Sequence, residues 1–368
     1  MLEGLCMIFY LRTFARCKGI RFKSMRILLV SRYKPQFANH ILPFVVEQGA
    51  ALRQLGNQVD YFLVQGKGLL SYISQVGPLK EKIREFRPDV VHGHYGLSGI
   101  TTVLACKELP KTIRPKCVVT FHNGETLGWK QNLLSSSFSL LADYVIYVAQ
   151  HIRELSYFKA KRYAIMPCGV NLEELPIIPY EEARQQLAFA PQTKYILFGG
   201  TFDNKRKNVQ LLFDALNLMS DKPCFTAEHP SGELKNGVSV EVLEMRGLSR
   251  EECALRMCAC DLFALPTHSE GSPQALKEAM ACNCPIVATD VADIKELLGD
   301  IAGHYLLRNP RHTKKYWDAD ESSIAEMAEL LAQALSTSVR TRGRERIVAY
   351  NLTNNQIAQQ LLDIYHHC

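Results

Sequence analysis

The stretch that decides the fold is DLFALPTHSEGSPQALKEAMACNCPIVATD, residues 261–290. Its apolar runs predict strands at Asp261–Leu265 and Ile286–Ala288, and the segment between them predicts a helix over Pro273–Ala281. Short apolar strands separated by a helix are typical of a parallel sheet that helices cover on both faces. The chain is therefore expected to be an α/β protein.

The same alternation runs through the rest of the chain, beginning with the strand RILLV at residues 26–30. A length of 368 residues favours about two domains. A proline-bearing stretch interrupts the rhythm, and the end from about Ser322 is predicted to be helical throughout. The predicted organisation is a leader at 1–24, a Rossmann-like acceptor domain at 25–170, a linker at 171–187, a Rossmann-like donor domain at 188–345, and a C-terminal helix at 346–368 whose return to the first domain is left open.

Composition narrows the function classes. The chain is 47% hydrophobic and 22% charged, as soluble globular proteins are, and no apolar run reaches the roughly 18 residues of a membrane helix. The net charge of +6 is partly concentrated in residues 1–24, so no nucleic-acid partner is indicated. That leader is interpreted either as an upstream start before Met25 or as a basic amphipathic helix on a membrane. We expect a cytoplasmic protein, with peripheral contact at the inner membrane face left open.

The twelve cysteines do not indicate a metal site or a disulfide framework. No CxxC pair exists, and a Cys-x-Cys pair such as Cys258 and Cys260 is a poor tetrahedral site without further ligands. Most of the cysteines lie in apolar segments, where a small hydrophobic side chain is expected. Their abundance without a secretion signal favours a reducing compartment.

The loop and helix after the strand at Asp261–Leu265 have the features of a phosphate site. Ser272 is predicted to cap a helix that begins at Pro273, and Gly271 lets a ligand approach the backbone. The free amides and positive dipole of such a helix start attract a diphosphate. Glu270 precedes the helix and Glu278 lies inside it, so they either bracket a hydroxyl-rich ligand or are simply solvated glutamates favoured by the dipole.

A second candidate segment is FGGTFDNKRKNVQLLFDAL, residues 198–216. A predicted strand ends in Gly199 and Gly200, and Lys205, Arg206 and Lys207 follow. Glycines at a strand end followed by cations suit a phosphate-binding turn. An ordinary charged surface loop is the alternative.

Together these segments resemble the retaining glycosyltransferases of family 4, also called group 1. The segment EGSPQALKEAM at 270–280 matches the E-x7-E motif of that family, and CPIVATDVADIKEL at 284–297 and MPCGVNLEEL at 166–175 resemble its flanking segments. The resemblance extends from Met25 to the C-terminus. It implies the GT-B fold, in which two doubly wound Rossmann-like domains face a cleft.

The resemblance also implies roles for the donor site. Glu278 would contact the ribose, Glu270 the transferred sugar, and Lys207 the diphosphate. The family carries an arginine where this chain has Thr201, so Arg206, Lys205 or the helix amides would replace it. The remaining predicted donor contacts are Gly200, Gly271, Ser272, Pro273 and Gln274.

Four candidate residues lie in the N-terminal half, two of them by the same resemblance. His122, in VVTFHNGET, corresponds to a strand-end histidine that faces the donor sugar, and His94, in VHGHYG, to an acceptor-side element. Each is alternatively a structural core histidine. The first loop lacks the glycine pair of the family, and Asn39 or His40 is a candidate for its place.

The implied activity is transfer of a sugar from a UDP- or GDP-sugar to a glycan or lipid-linked hydroxyl, with retention at the anomeric carbon. This would serve surface polysaccharide synthesis. No metal is expected, since no Asp-x-Asp motif occurs, and no cofactor is implied. The alternatives are a nucleotide-sugar epimerase, a glycan phosphorylase and a non-catalytic nucleotide-sugar-binding protein. An NAD-dependent dehydrogenase is disfavoured because no GxGxxG follows the first strand.

Overall fold

The computed structural model describes residues 24–66, 68–308, 320–337 and 339–368. The predicted leader therefore lies outside the described residues, apart from Ser24. Contacts divide the chain into two compact units. The first comprises residues up to Gly169 together with Tyr350–Cys368, and the second comprises Val170–Ala349.

The first unit is built on a six-stranded parallel sheet in the order β2-β1-β3-β4-β5-β6. Its strands are β1 (Arg26–Arg32), β2 (Gln58–Val64), β3 (Val90–His94), β4 (Lys116–Phe121), β5 (Tyr144–Tyr147) and β6 (Tyr163–Ile165). The helices before Gly169 are α1 (Pro43–Gln54), α2 (Leu69–Ser74), α3 (Val76–Phe86), α4 (Gly96–Lys107), α5 (Gly124–Leu127), α6 (Trp129–Ser139) and α7 (Gln150–Leu155).

The second unit also has a six-stranded sheet, in the order β12-β11-β10-β7-β9-β8, and only the pairing of β8 with β9 is antiparallel. Its strands are β7 (Thr193–Phe198), β8 (Ser231–Glu233), β9 (Ser239–Leu243), β10 (Leu262–Leu265), β11 (Ile286–Thr289) and β12 (His304–Leu307). The remaining helices are α8 (Tyr180–Gln186), α9 (Val209–Leu218), α10 (Arg250–Ala259), α11 (Gln274–Ala281), α12 (Ile294–Leu298), α13 (Glu321–Ser336), α14 (Gly343–Ala349) and α15 (Asn354–His367).

Burial on both faces explains the continuous apolar strands. In β1, Ile27 and Leu29 belong to a core that α1 and α15 cover, whereas Leu28 and Val30 belong to the core under α3 and α4. Alternate residues of a strand point to opposite faces, so both faces must be apolar when both are covered.

The last helix, α15, belongs to the first unit. It packs on α1, and its Tyr365 is buried. A capping box formed by Thr353 and Gln356 begins this helix. Asn354 donates a hydrogen bond to Glu47 (3.2 Å), which joins the start of α15 to α1.

The C-terminal segment is not helical throughout, so that prediction was wrong. Helix α13 ends at Ser336, and two shorter helices follow it. Arg340 lies in the irregular stretch between α13 and α14 and donates hydrogen bonds to the carbonyls of Met257 (2.6 Å), Cys260 (2.8 Å) and Cys282 (3.0 Å). These bonds hold the stretch against the rest of the second unit.

Within the segment proposed as a linker, residues 180–186 form α8. Arg184 of this helix is buried against Asp261 in an ion pair of 3.2 Å.

Among the described residues, no helix is both long and apolar enough to cross a bilayer.

Candidate active site

Two cations converge on one buried carboxylate in the second unit. Glu270 is only 7% exposed, and its Oε1 lies 2.8 Å from Lys207 Nζ and 3.0 Å from the Arg206 guanidinium. The hydroxyl of Thr267 donates to the same oxygen at 3.1 Å. Burial alone would raise the pKa of Glu270, but the charges and hydrogen bonds of Lys207 and Arg206 outweigh it and lower the pKa. Glu270 therefore stays ionised.

The backbone fixes this cluster from two loops. The basic loop after β7 forms a 3-10 turn at Lys205–Lys207, and the carbonyl of Arg206 accepts hydrogen bonds from the Thr267 hydroxyl (3.1 Å) and the His268 amide (3.0 Å). A Cβ at Gly200 would lie 2.8 Å from Lys207 Cγ. A glycine is therefore needed there for the lysine side chain to pass across the strand end.

Thr201, which stands where the family carries arginine, takes no part in this convergence. Its hydroxyl donates to Asp203 (2.6 Å), and Asp203 is also paired with Arg246 (2.9 Å). Arg206, one of the suggested replacements, instead reaches Glu270 and the carbonyl of Ser269. Lys205 is exposed.

The helix beyond Glu270 begins one residue later than predicted. Pro273 is the N-cap of α11, with an extended backbone (ψ 115°), and no side chain caps the helix, so the predicted capping role of Ser272 was wrong. The first helical residue is Gln274, because Pro273 keeps this extended geometry. Residues 271–274, including Gly271, thus form the short connection between Glu270 and α11.

Glu278 lies on α11 and is 7% exposed. Arg250, the first residue of α10, donates to its Oε1 at 2.7 Å and also lies 3.4 Å from Glu174. The sequence analysis did not predict Arg250 or Thr267 at the site, because no spacing signal links them to the E-x7-E segment.

A second set of buried charges lies beside the start of α11. Burial raises the pKa of Asp293 to about 6, opposed by the nearby Ser272 hydroxyl and the charge of Lys277. Lys277 is fully buried although it lies inside the motif. Neither residue was predicted from the sequence. For Lys277 the reason is that a lysine on an amphipathic helix is usually expected to face solvent.

In the first unit, three histidines form a stacked cluster at the carboxyl ends of β3 and β4. His94 Nδ1 lies 3.2 Å from His122 Nε2, and the rings of His92 and His94 stack at 4.4 Å. Burial lowers the pKa of His94 to about 3, so its ring is neutral at physiological pH. His92 bonds Tyr365 and Thr120, each at 2.6 Å, which makes it a structural residue.

His122 is half-buried, and its ring lies against Phe44 (4.8 Å) and Tyr95 (4.5 Å). Its Nδ1 lies 3.9 Å from the thiol sulfur of Cys168. A cavity of about 20 Å³ beside it is also lined by Gln48 and Thr120, which is room for one water molecule.

Glu125 positions His122 and was not predicted. This buried carboxylate accepts backbone hydrogen bonds from Gly96 (2.8 Å), His122 (3.2 Å) and Asn123 (2.9 Å). Burial raises its pKa, although these backbone bonds oppose the rise. The carboxylate thereby ties the loop after β3 to the loop that follows β4 and carries His122.

Asn39 and His40 lie in the exposed loop after β1, in a 3-10 turn, with left-handed backbone angles of φ 54° and 61°. The ring of His40 contacts Tyr33 at 4.6 Å. The structure thus brings His94 and His122 together in one cluster. It brings Lys207, Arg206 and Glu270 together in another. Asn39 and His40 join neither cluster through the hydrogen bonds and ring contacts given above.

Comparison with family models matches both halves of the chain. The model described as Glycosyltransferase Family 4 matches residues 40–174, and the model described as Glycosyl transferases group 1 matches residues 193–333. A relative is the putative teichuronic acid biosynthesis glycosyltransferase TuaC of Bacillus subtilis, 23% identical over 256 residues. That alignment covers 65% of this chain and 62% of the relative's own length.

Two solved structures show the same fold. Sucrose-phosphate synthase from Thermosynechococcus elongatus is 19% identical with a TM-score of 0.72, covering 93% of this chain and 98% of its own. HepE from Anabaena, solved in complex with UDP and glucose, is 15% identical with a TM-score of 0.67, covering 94% and 100%. Likeness at such identities shows the fold and not the substrate.

Proposed function

The chain belongs to the glycosyltransferases of the GT-B fold, and we propose that it moves a sugar from a nucleoside-diphosphate sugar to a hydroxyl with retention at the anomeric carbon. Its two Rossmann-like units match the fold predicted from the sequence. We propose that the second unit holds the donor site and that the first unit holds the acceptor site.

The convergence of Lys207 and Arg206 on Glu270 carries this proposal. The donor's diphosphate takes over the two cations when it binds, and Glu270 then accepts hydrogen bonds from the hydroxyls of the transferred sugar. As the bond to the sugar breaks, negative charge grows on the diphosphate. Preorganised cations stabilise that charge most strongly where water is excluded. The positive charge comes from the protein, without a metal or cofactor.

The backbone next to Glu270 adds to this stabilisation. Gly271, Ser272, Pro273 and Gln274 lead directly into α11, whose amino end carries a partial positive charge. Ser272 and Gln274 act through their backbone amides, and therefore tolerate changes of side chain better than Lys207 does. Gly200 does not tolerate them, because a Cβ there would lie 2.8 Å from Lys207 Cγ.

Glu278 is proposed to hold the ribose of the nucleotide. Its carboxylate has two oxygens, and Arg250 occupies only Oε1 among the hydrogen bonds described above. Two neighbouring ribose hydroxyls can both donate to such a group. Arg250 acts as a positioning residue, because its hydrogen bond fixes the direction of the carboxylate.

His122 is proposed to hydrogen-bond a hydroxyl of the transferred sugar. Its neighbour His94 is neutral, so no second positive charge opposes the cationic character that the sugar develops. Asn39, His40 and His94 are proposed to contact the acceptor. Because Glu270 is proposed to accept hydrogen bonds from the sugar hydroxyls, no carboxylate is assigned as a nucleophile, which favours a same-face substitution without a covalent intermediate.

The acceptor is proposed to be a glycan or lipid-linked precursor of a surface polysaccharide, at the cytoplasmic face of the membrane. The relationship to TuaC supports this class, since the name of that relative refers to teichuronic acid biosynthesis. UDP-sugars are one class of candidate donor. GDP-sugars are the other candidates.

A thermal-shift screen against UDP-, GDP- and ADP-sugars tests donor binding. A ligand at a hundred times its Kd stabilises the native state by about 2.7 kcal/mol, which is a clear shift in Tm. The matching donor is then incubated alone and with lipid or glycan acceptors. Turnover without acceptor indicates an epimerase, dependence on free phosphate indicates a phosphorylase, and binding without turnover indicates a non-catalytic protein. Each of these three results contradicts the proposal.

A further inference from the structure

Helix α6 of the first unit is inverted in its polarity. Its buried residues are small or polar, namely Asn132, Ser135, Ser136 and Ser139. Two of its three exposed positions carry large apolar side chains instead, with Trp129 63% exposed and Leu133 42% exposed, and the third is Lys130. A surface helix normally shows the opposite arrangement. The large side chains of α6 are thus available to something outside the first unit.

Close packing explains why small residues face inward. A Cβ at Gly96, the first residue of α4, would lie 2.2 Å from Ser135 Oγ, so the two helices approach more closely than larger side chains would allow. The buried hydroxyls of Ser136 and Ser139 donate to carbonyls within α6, at 2.6 and 2.7 Å. Two of the inward hydroxyls are therefore paired within the helix, and Phe138 adds an apolar contact to the core of the first unit.

A second exposed apolar segment is held beside α6. The side-chain amide of Asn132 donates to the carbonyl of Leu155 (2.8 Å), and its oxygen accepts from the amide of Tyr157 (3.1 Å). Leu155, Tyr157 and Phe158 are 54%, 57% and 41% exposed. We call the combined set the apolar surface; it consists of Leu127, Trp129, Leu133, Leu155, Tyr157 and Phe158.

Lysines flank the apolar surface. Lys130, Lys159 and Lys161 are all exposed, and Lys130 Nζ lies 5.4 Å from the centre of the Trp129 ring. Amphipathic aromatic rings with basic neighbours are the side chains that anchor proteins at the boundary between water and lipid. Juxtaposed lysines add attraction to anionic headgroups.

We propose that the apolar surface docks on an anionic lipid bilayer. A second copy of the chain is a poorer occupant, because a contact of this patch with itself would bring two positively charged surfaces together. The docking would hold the first unit at the surface where a lipid-linked acceptor lies. It does not depend on the sugar-transfer assignment, since lipid binding is measured without donor or acceptor.

Vesicle co-sedimentation of the full chain tests this proposal. We expect binding to phosphatidylcholine vesicles that contain 30 mol% phosphatidylglycerol, about tenfold or more stronger than to phosphatidylcholine alone. The variant Trp129→Ser/Tyr157→Ser should lose about tenfold or more in partitioning. A matched control, Leu70→Ser/Ile73→Ser, removes apolar side chains that are 81% and 45% exposed on α2 and should bind like the unchanged protein.

A charge series separates the two contributions. Replacing Lys130, Lys159 and Lys161 by Gln should weaken binding to the anionic vesicles by about fivefold per lysine, with little effect on neutral vesicles. The donor-induced thermal shift reports folding of every variant. It also distinguishes failure of the donor proposal from failure of this one.

Three results would overturn the docking proposal. The first is that the unchanged protein does not bind anionic vesicles. The second is that the serine variant binds them as well as the unchanged protein does. The third is that the unchanged protein is a dimer and the serine variant a monomer in analytical ultracentrifugation. The second result would assign the contact to another part of the chain, such as the leader. The third would assign the apolar surface to a second copy.

Discussion

The carboxylate cluster of the second unit and the histidine cluster of the first meet the same physical problem in opposite ways. Both are sets of ionisable side chains buried near the carboxyl ends of parallel strands. Glu270 keeps its charge because Lys207 and Arg206 pair with it. His94 gives up its charge, because burial lowers its pKa to about 3 and its neighbours are other histidines.

This difference indicates what each cluster is suited to bind. Burying a charge is tolerated only when it is paired, so the second unit holds cations that can be transferred to an anionic ligand. Neutral imidazoles offer a donor and an acceptor without charge, which suits hydroxyl groups. The comparison therefore predicts that charge-removing changes act strongly in the second unit and that pH acts on the first.

The largest expected effect is that of Lys207→Ala. Turnover should fall about a hundredfold or more, because one preorganised charge-stabilising group is lost. Steady-state kinetics with the identified donor measures it. The matched control is Lys205→Ala, an exposed lysine of the same turn, which should keep nearly full activity. If the two variants exchanged behaviour, the assignment of the phosphate contact within this turn would be wrong.

Glu278→Ala should weaken binding of the nucleotide itself. Losing two charge-assisted hydrogen bonds costs about 1.5–3 kcal/mol, and Arg250 is left without this partner. Isothermal titration calorimetry with UDP or GDP measures the change. Glu181→Ala, at an exposed position in the first turn of α8, is the control. Unchanged affinity in the Glu278 variant would refute the ribose contact.

Acid should destabilise the first unit through its neutral histidines. Between the usual pKa of 6.5 and the folded value of about 3, the unfolded chain binds a proton on His94 that the folded chain does not. Stability therefore falls as pH falls through this window, by up to about 1.4 kcal/mol per pH unit for each such histidine. Urea midpoints of the unchanged protein and His94→Gln, measured at pH 6.5, 5.5 and 4.5, should converge as pH falls. Parallel slopes would contradict a neutral, buried His94.

The smallest effect is expected from Thr201→Arg. The new side chain restores the cation that the family carries there, and it should tighten nucleotide binding by about two- to fivefold, as partly exposed charge pairs do. In the background of Arg206→Ala it should recover part of the lost affinity. Calorimetry of the two single variants and the double variant tests this. If the changes in binding free energy of the single variants simply add up in the double variant, the two positions do not share a ligand.

The sequence predicted the elements more reliably than the contacts. The strands predicted at Asp261–Leu265 and Ile286–Ala288 each differ by one residue from β10 and β11, because their apolar runs and flanking polar residues are local signals. Helix α11 begins one residue later than predicted. Proline is common at the first position of a helix, but that preference does not reveal the extended backbone angle that this proline has. Arg340 interrupts the C-terminal helical pattern through bonds to residues far away in the chain.

At the candidate site, the sequence alone identified the residue types and their motif: Glu270, Glu278, the basic turn at 205–207 and the histidines after two strands. Only the tertiary structure decided which of these meet. It placed Arg206, rather than Lys205, beside Lys207 on the Glu270 carboxylate. It also added Arg250 and Glu125 to the site. The physical reason is that a motif fixes spacing along one segment, whereas a hydrogen bond between loops depends on how the sheet brings separate strand ends together.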